Sequence, residues 1–140
     1  MSRLNIKGLL SRLLNSVDDL DTRVDAVETL PHVVEFGTSG TWTYRKWSNG
    51  VSECWGSWSG TISHYGTSFG GYAYTKQVTL PSGVFISAPL VVYSGTVGSS
   101  FALTGTLIGR TSTYVNCYAI SGASGSQSVS FYLFCQGKWK

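Results

Sequence analysis

The chain has 140 residues, 42% of them hydrophobic and only 12% charged, with a net charge of +3. That is room for one domain of ordinary size with a core of its own. No run of about eighteen apolar residues occurs, which excludes a membrane-spanning helix, and the few scattered cations read as solvated charges, so neither a membrane nor a nucleic acid is an expected partner.

The charge is unevenly placed. Asp18, Asp19, Asp21 and Asp25 are all the aspartates there are, and every Trp, Tyr and Phe comes later, beginning at Phe36. Two architectures follow, a stalk over residues 1–30 and a head over residues 31–140, with Leu30-Pro31 at the change. The N-terminus has neither the apolar core nor the cleavage site of a secretory leader, so the chain is expected to be made and assembled in the cytoplasm.

In the first region Ile6, Leu10, Leu13, Val17, Leu20, Val24 and Val27 alternate spacings of four and three. An average of 3.5 is a coiled-coil seam, because the apolar stripe of an ordinary helix repeats at 3.6. Leu10, Val17 and Val24 take the a positions; Ile6, Leu13, Leu20 and Val27 take d. Leu9 and Leu14, at g and e, widen the stripe beyond what two strands bury. Arg23-Val24-Asp25-Ala26-Val27-Glu28 resembles the R-h-x-x-h-E trimerisation motif of short coiled coils, with Arg23 at g reaching Glu28 at e on a neighbouring chain. The expectation is a parallel homotrimer. Pro31, at the next a position, ends the helix.

Beyond Pro31 the period changes to two, with Gly, Ser and Thr between short β-rich runs, the pattern of an antiparallel β-sandwich. Asn49-Gly50 reads as a type I′ hairpin turn, which pairs Lys46 with Glu53 and Tyr44 with Trp55. Further strands are expected over residues 72–80, 84–93, 100–108, 113–121 and 128–139. Cys54, Cys117 and Cys135 lack metal-site spacing, and the last two alternate with apolar residues, so buried free thiols are expected.

The head is poor in catalytic groups. Glu35 and Glu53 are its only carboxylates, His32 and His64 the only histidines, and it has no Asp. Glycoside hydrolysis by a carboxylate pair and a Ser-His-Asp triad are both undersupplied, so the chain reads as a non-enzyme without cofactor or metal.

The segment Gly37-Thr-Ser-Gly-Thr-Trp-Thr-Tyr-Arg-Lys-Trp-Ser-Asn-Gly-Val-Ser-Glu-Cys-Trp-Gly56 resembles one that recurs in tail-fibre and minor structural proteins of tailed phages of Gram-positive bacteria. Those proteins also carry a strand–Leu-Pro–strand unit and end in Gly-Arg-Trp-Lys. Here the counterparts are Val78-Thr-Leu-Pro-Ser-Gly-Val-Phe-Ile, and Gly137-Lys-Trp-Lys140 with lysine replacing the arginine. The later strands are also similar to the H-type lectin sandwich, although none of that fold's sugar-binding motifs has a match. The resemblance implies a virion protein, a tail fibre or receptor-binding tip that attaches to a host surface polysaccharide and contacts other virion proteins. The alternative is a purely structural fibre or baseplate component. Candidate sugar platforms are aromatic rings with polar neighbours: Trp47 beside Asn49, Trp58, and Tyr65 beside His64.

Overall fold

The protein is described by a computed structural model covering residues 6–28, 30–98, 103–104 and 109–140. It divides into two units, Met1–His32 and Val33–Lys140.

The first unit is one helix, α1 (Ile6–Glu28). It has no proline, and the hydroxyls of Ser16 and Thr22 turn back onto the carbonyls of Arg12 and Asp18, so these helix-neutral residues do not compete with the ladder. Leu10, Leu13, Val17, Leu20 and Val24 are each more than half exposed within the single chain. The side chains of Ile6, Val27 and Glu28, to which the sequence reading gave the rest of the seam and of the trimerisation pattern, lie outside the described residues. No helix is long and apolar enough to cross a membrane among the described residues.

The second unit is two antiparallel sheets. In the first, strands run in the order β1 (Val33–Ser39), β2 (Trp42–Trp47), β3 (Val51–Ser63), β10 (Ser126–Lys138) and β6 (Leu90–Val97). In the second, β4 (Gly66–Ser68), β5 (Gly71–Thr79), β9 (Tyr114–Ser121) and β7 (Leu103–Thr104) are neighbours, and β8 (Gly109–Arg110) also pairs with β9. Each sheet turns one face to a shared core. Cys54, Val91, Val97, Val129, Phe131, Leu133 and Cys135 come from the first sheet and Tyr74, Val78, Val115, Cys117 and Ala119 from the second. Two tethers join the sheets: the Trp42 indole donates to the Thr79 carbonyl at 3.0 Å, and the Tyr93 hydroxyl donates to the Tyr118 carbonyl at 3.0 Å while accepting from the Tyr118 N–H.

The hairpin at Asn49-Gly50 forms, but its register differs by one residue from the type I′ expectation. Arg45 faces Glu53 and Tyr44 faces Cys54, leaving Ser48, Asn49 and Gly50 as a three-residue loop. The Gly50 N–H bonds the Trp47 carbonyl at 3.0 Å, and Gly50 alone takes a positive φ, 90°. This is a type I turn closed by a left-handed glycine, the other common hairpin loop. Asn49 supports it by accepting the Val51 N–H on its side-chain oxygen at 3.1 Å. The shift has a chemical basis: it places Arg45 and Trp47 on the side of the sheet where Glu53 can accept from both.

Three other boundaries moved. Residues 33–39 form β1, and β3 continues to Ser63, well past Gly56. Val84 to Pro89 is not strand: Gly83 has a φ of 72°, Pro89 has no N–H for a ladder, and Val84, Phe85 and Pro89 plug the core end instead. Of the strand expected over residues 100–108, only Leu103–Thr104 is described; the remainder lies outside the described residues. All three cysteines are buried free thiols, as expected, and Cys117 and Cys135 sit in the alternation that implied it.

The first and last segments that carry the phage resemblance meet in space. The Trp139 indole donates to the Trp47 carbonyl at 3.0 Å and the Trp139 N–H to the Gly50 carbonyl at 3.1 Å, so the C-terminus staples the hairpin turn. Lys46 and Lys140 sit over the Trp139 ring at 5.4 and 5.0 Å.

Candidate functional site

The strand β3 sets the length of the head. It runs for thirteen extended residues from Val51, beside the end where the chain enters the head at Val33, to Ser63, a distance of roughly 40 Å. The proposed aromatic residues fall at three places along it.

Trp47 and Asn49 lie at the entry end. Trp47 is half-buried, its indole N–H donates to Glu53 Oε2 at 3.2 Å, and the Arg45 guanidinium covers its ring at 4.9 Å. Glu53, 8% exposed, also accepts from Arg45 and, at 3.0 Å, from the Gln136 amide. Burial raises the Glu53 pKa, but the hydrogen bonds from Arg45, Trp47 and Gln136 outweigh it and leave the carboxyl below its ordinary value. Glu35 is held low chiefly by the Lys46 ammonium, 2.9 Å away. Both carboxylates of the head are therefore engaged in ion pairs.

Trp58 lies midway, half-buried against Phe131, with the Lys76 ammonium 4.9 Å over its ring. With Thr41, Ser57, Gln77 and Thr79 it lines a shallow groove of about 360 Å³ where β1 ends and β2 begins.

His64 and Tyr65 occupy the far end, where β3 passes into β4. His64 packs edge-on against Tyr72, centroids 4.8 Å apart, and its Nδ1 accepts the Gly125 N–H at 2.9 Å. In the tautomer in which Nδ1 accepts this bond, the ring proton lies on Nε2. Tyr65 is 65% exposed, braced by Tyr118 at 6.3 Å and by its own N–H on the Ala73 carbonyl.

The structure adds a residue that the sequence reading did not single out. Phe69 sits in the two-residue turn between Ser68 and Gly71, with a φ of 49° and 95% of its surface exposed. Left-handed geometry costs a non-glycine residue about 1–2 kcal/mol, and Asn, Asp or Gly is the usual occupant of such a turn. The far end thus presents Tyr65 beside His64 and, at the turn between β4 and β5, Phe69 to solvent. Phe-Gly-Gly between two short strands was the signal in the sequence.

The outer face of the first sheet was also missed. Phe36, Leu90, Val92, Tyr132 and Phe134 project from it, each 40% exposed or more, and Trp55 packs against Phe36 with ring centroids 6.5 Å apart. A shallow groove of about 550 Å³ lies over Trp55, Val92, Tyr132 and Phe134. The signal was the unbroken apolar runs Leu90-Val-Val-Tyr93 and Phe131-Tyr-Leu-Phe-Cys135, which read as strands covered on both sides.

No family model and no curated protein matches the chain. Two solved structures share its fold. An N-truncated R1-type pyocin tail fibre aligns over 78% of this chain and 86% of its own, at 13% identity and a TM-score of 0.51. The Pseudomonas aeruginosa R1 pyocin fibre comprising C-terminal residues 323–701 aligns over 74% of this chain at 16% identity and a TM-score of 0.52. This chain spans only 28% of that longer fibre. The chain is structurally similar to phage-tail-like fibres; at these identities the likeness is one of fold.

Proposed function

We propose that the chain is the trimeric end of a phage or phage-tail-like fibre, and that its β head attaches the particle to a host surface polysaccharide through the tip formed by His64, Tyr65 and Phe69. The observation that carries this reading is Phe69, a large apolar ring held in solvent on a backbone that disfavours it. Such strain is retained where presentation of the side chain matters. Flat rings suit the apolar C–H faces of sugars, and the His64 Nε2–H and Tyr65 hydroxyl supply adjacent polar groups that orient a ligand.

Three chains are part of the reading. A lone helix of 23 residues with an exposed Leu/Val stripe is marginal in water and acquires stability by burying that stripe. The 3.5-residue spacing and the Arg23-to-Glu28 pattern favour three parallel copies, and three tips convert individually weak sugar contacts into avidity. The fold likeness to the pyocin tail fibre supports a particle component, in contact with other virion proteins.

The test is saturable binding of the full chain to a panel of bacterial surface polysaccharides, with Tyr65→Ala and Phe69→Ala alongside. Each substitution is expected to weaken binding at least tenfold with mass and melting temperature unchanged. Undiminished binding by both variants moves the site away from the tip, and absence of saturable binding to every polysaccharide favours a purely structural fibre component.

A further inference from the structure

The outer face of the first sheet is ordered in rows across its strands. At the entry end, Phe36, Arg45, Glu53, Gln136 and Leu90 lie side by side; the next row is Thr38, Thr43, Trp55, Phe134 and Val92. Beyond these come Ser57, Tyr132 and Ser94, and then Ser59, Ser130 and Thr96. Apolar and aromatic groups give way to hydroxyls with distance from the point where the chain enters. With strands about 4.8 Å apart and rows about 6.8 Å apart, five strands wide in the first two rows and three in the next two, the patch reaches at most roughly 20 Å by 20 Å, the size at which the largest patch of a single chain is often functional.

Its charged groups need nothing from a partner. Glu53 is met by Arg45, Trp47 and Gln136, the Arg45 guanidinium lies over Trp47 and Trp55 at 4.9 and 5.6 Å, and the Ser59 and Ser130 hydroxyls bond each other at 2.8 Å. A surface whose charges are already paired within itself loses its water without leaving a bare charge.

From this we infer that the face is covered by other copies of the same chain, so that the heads meet over Trp55, Val92 and Phe134 while the Tyr65–Phe69 tip stays clear. The inference rests on the trimeric reading of the helix. The occupant is argued from covalent geometry. Only residues 29–32 separate α1 from β1, so chains zipped along α1 hold their heads at a high mutual concentration, and the most apolar rows lie at the tethered end of the sheet. Within these rows the charges pair, one Arg with one Glu, and the exposed Lys138 on the same face lies one row nearer the entry end, at the margin of the patch. On this assignment Trp47 and Trp55 brace an interface, and the glycan contacts belong to the far end.

The test uses the full chain carrying Val92→Cys, with Thr67→Cys on the exposed strand β4 as the control. The native thiols are buried and contribute little background. Light scattering gives the mass, and maleimide labelling followed by mass spectrometry gives accessibility. At three chain masses, Val92→Cys is expected to label at least tenfold more slowly than Thr67→Cys, and at the same rate after denaturation. Equal native rates at three chain masses overturn the assignment of the face and leave the trimer standing. A single chain mass for the unsubstituted protein overturns the trimeric reading itself.

Discussion

Glu53 shows how one side chain organises the entry end of the head. Its carboxylate collects donors from β2 and β10 while belonging to β3, so it joins three strands at one point. Because its folded pKa is depressed, its contribution to stability is complete above the ordinary carboxylate value and is lost as pH falls through the folded one. The head is therefore expected to lose stability on acidification below about pH 4, and Glu53→Gln to lower the neutral melting temperature while flattening the acid limb. Thermal melts across that range check this; an unchanged acid limb contradicts it. The thiols behave in the opposite sense. Burial pushes Cys117 up to about 12, and the hydrogen bond with the Cys135 thiol, together with burial, raises Cys54, so these two stay protonated at neutral pH. A disulfide reagent is expected to leave the folded protein unmodified and to titrate all three cysteines after denaturation. Rapid reaction in the native state would place a thiol at the surface.

At the scale of elements, the hairpin between β2 and β3 depends on one left-handed glycine and on the Trp139 staple. A Cβ at Gly50 meets only ordinary contacts, the nearest 3.4 Å away on Lys140, so the cost of Gly50→Val is backbone strain of about 1–2 kcal/mol, read as a lower melting temperature. Tyr93→Phe is expected to cost a similar amount, about 1–2 kcal/mol, by removing the hydroxyl that both donates to and accepts from Tyr118 between the sheets. A melting temperature within a degree of the unsubstituted chain would contradict either account. Much of this architecture was legible in the sequence. The change of period at Pro31, the turn at Asn49-Gly50, and the alternation that buries Cys117 and Cys135 all have local causes. The register was not, because Asn-Gly suits both a two-residue loop and a type I turn with a left-handed glycine, and long-range partners decide between them. Here Glu53 is claimed by Gln136, more than eighty residues away, and Trp47 by Trp139. Nor did periodicity alone expose the outer face: a run such as Phe131-Tyr-Leu-Phe-Cys135 has no polar side to mark where solvent lies. Of the candidate site, His64 and Tyr65 were found as adjacent polar and aromatic residues, whereas Phe69 was passed over because Phe-Gly-Gly marks a turn without marking that the phenylalanine itself takes the left-handed position.

For the whole molecule, the helix, the outer face and the tip form one scheme. On the proposed reading the helix supplies copies, the apolar rows at the entry end give those copies a surface to share, and the far end carries two exposed rings, that of Phe69 on left-handed backbone. Leu13→Asp and Leu20→Asp, each placing a charge in the seam, are expected to shift the protein toward single chains and to reduce polysaccharide binding far more than a threefold loss of sites would. Gel filtration and binding on the same preparations check both consequences, and undiminished avidity in a monomeric variant would remove multivalency from the account. The measurement that tests the scheme most directly is the mass of the full chain in solution by light scattering. Three times the 15.1 kDa chain mass is the expected result, and a single chain mass would contradict it.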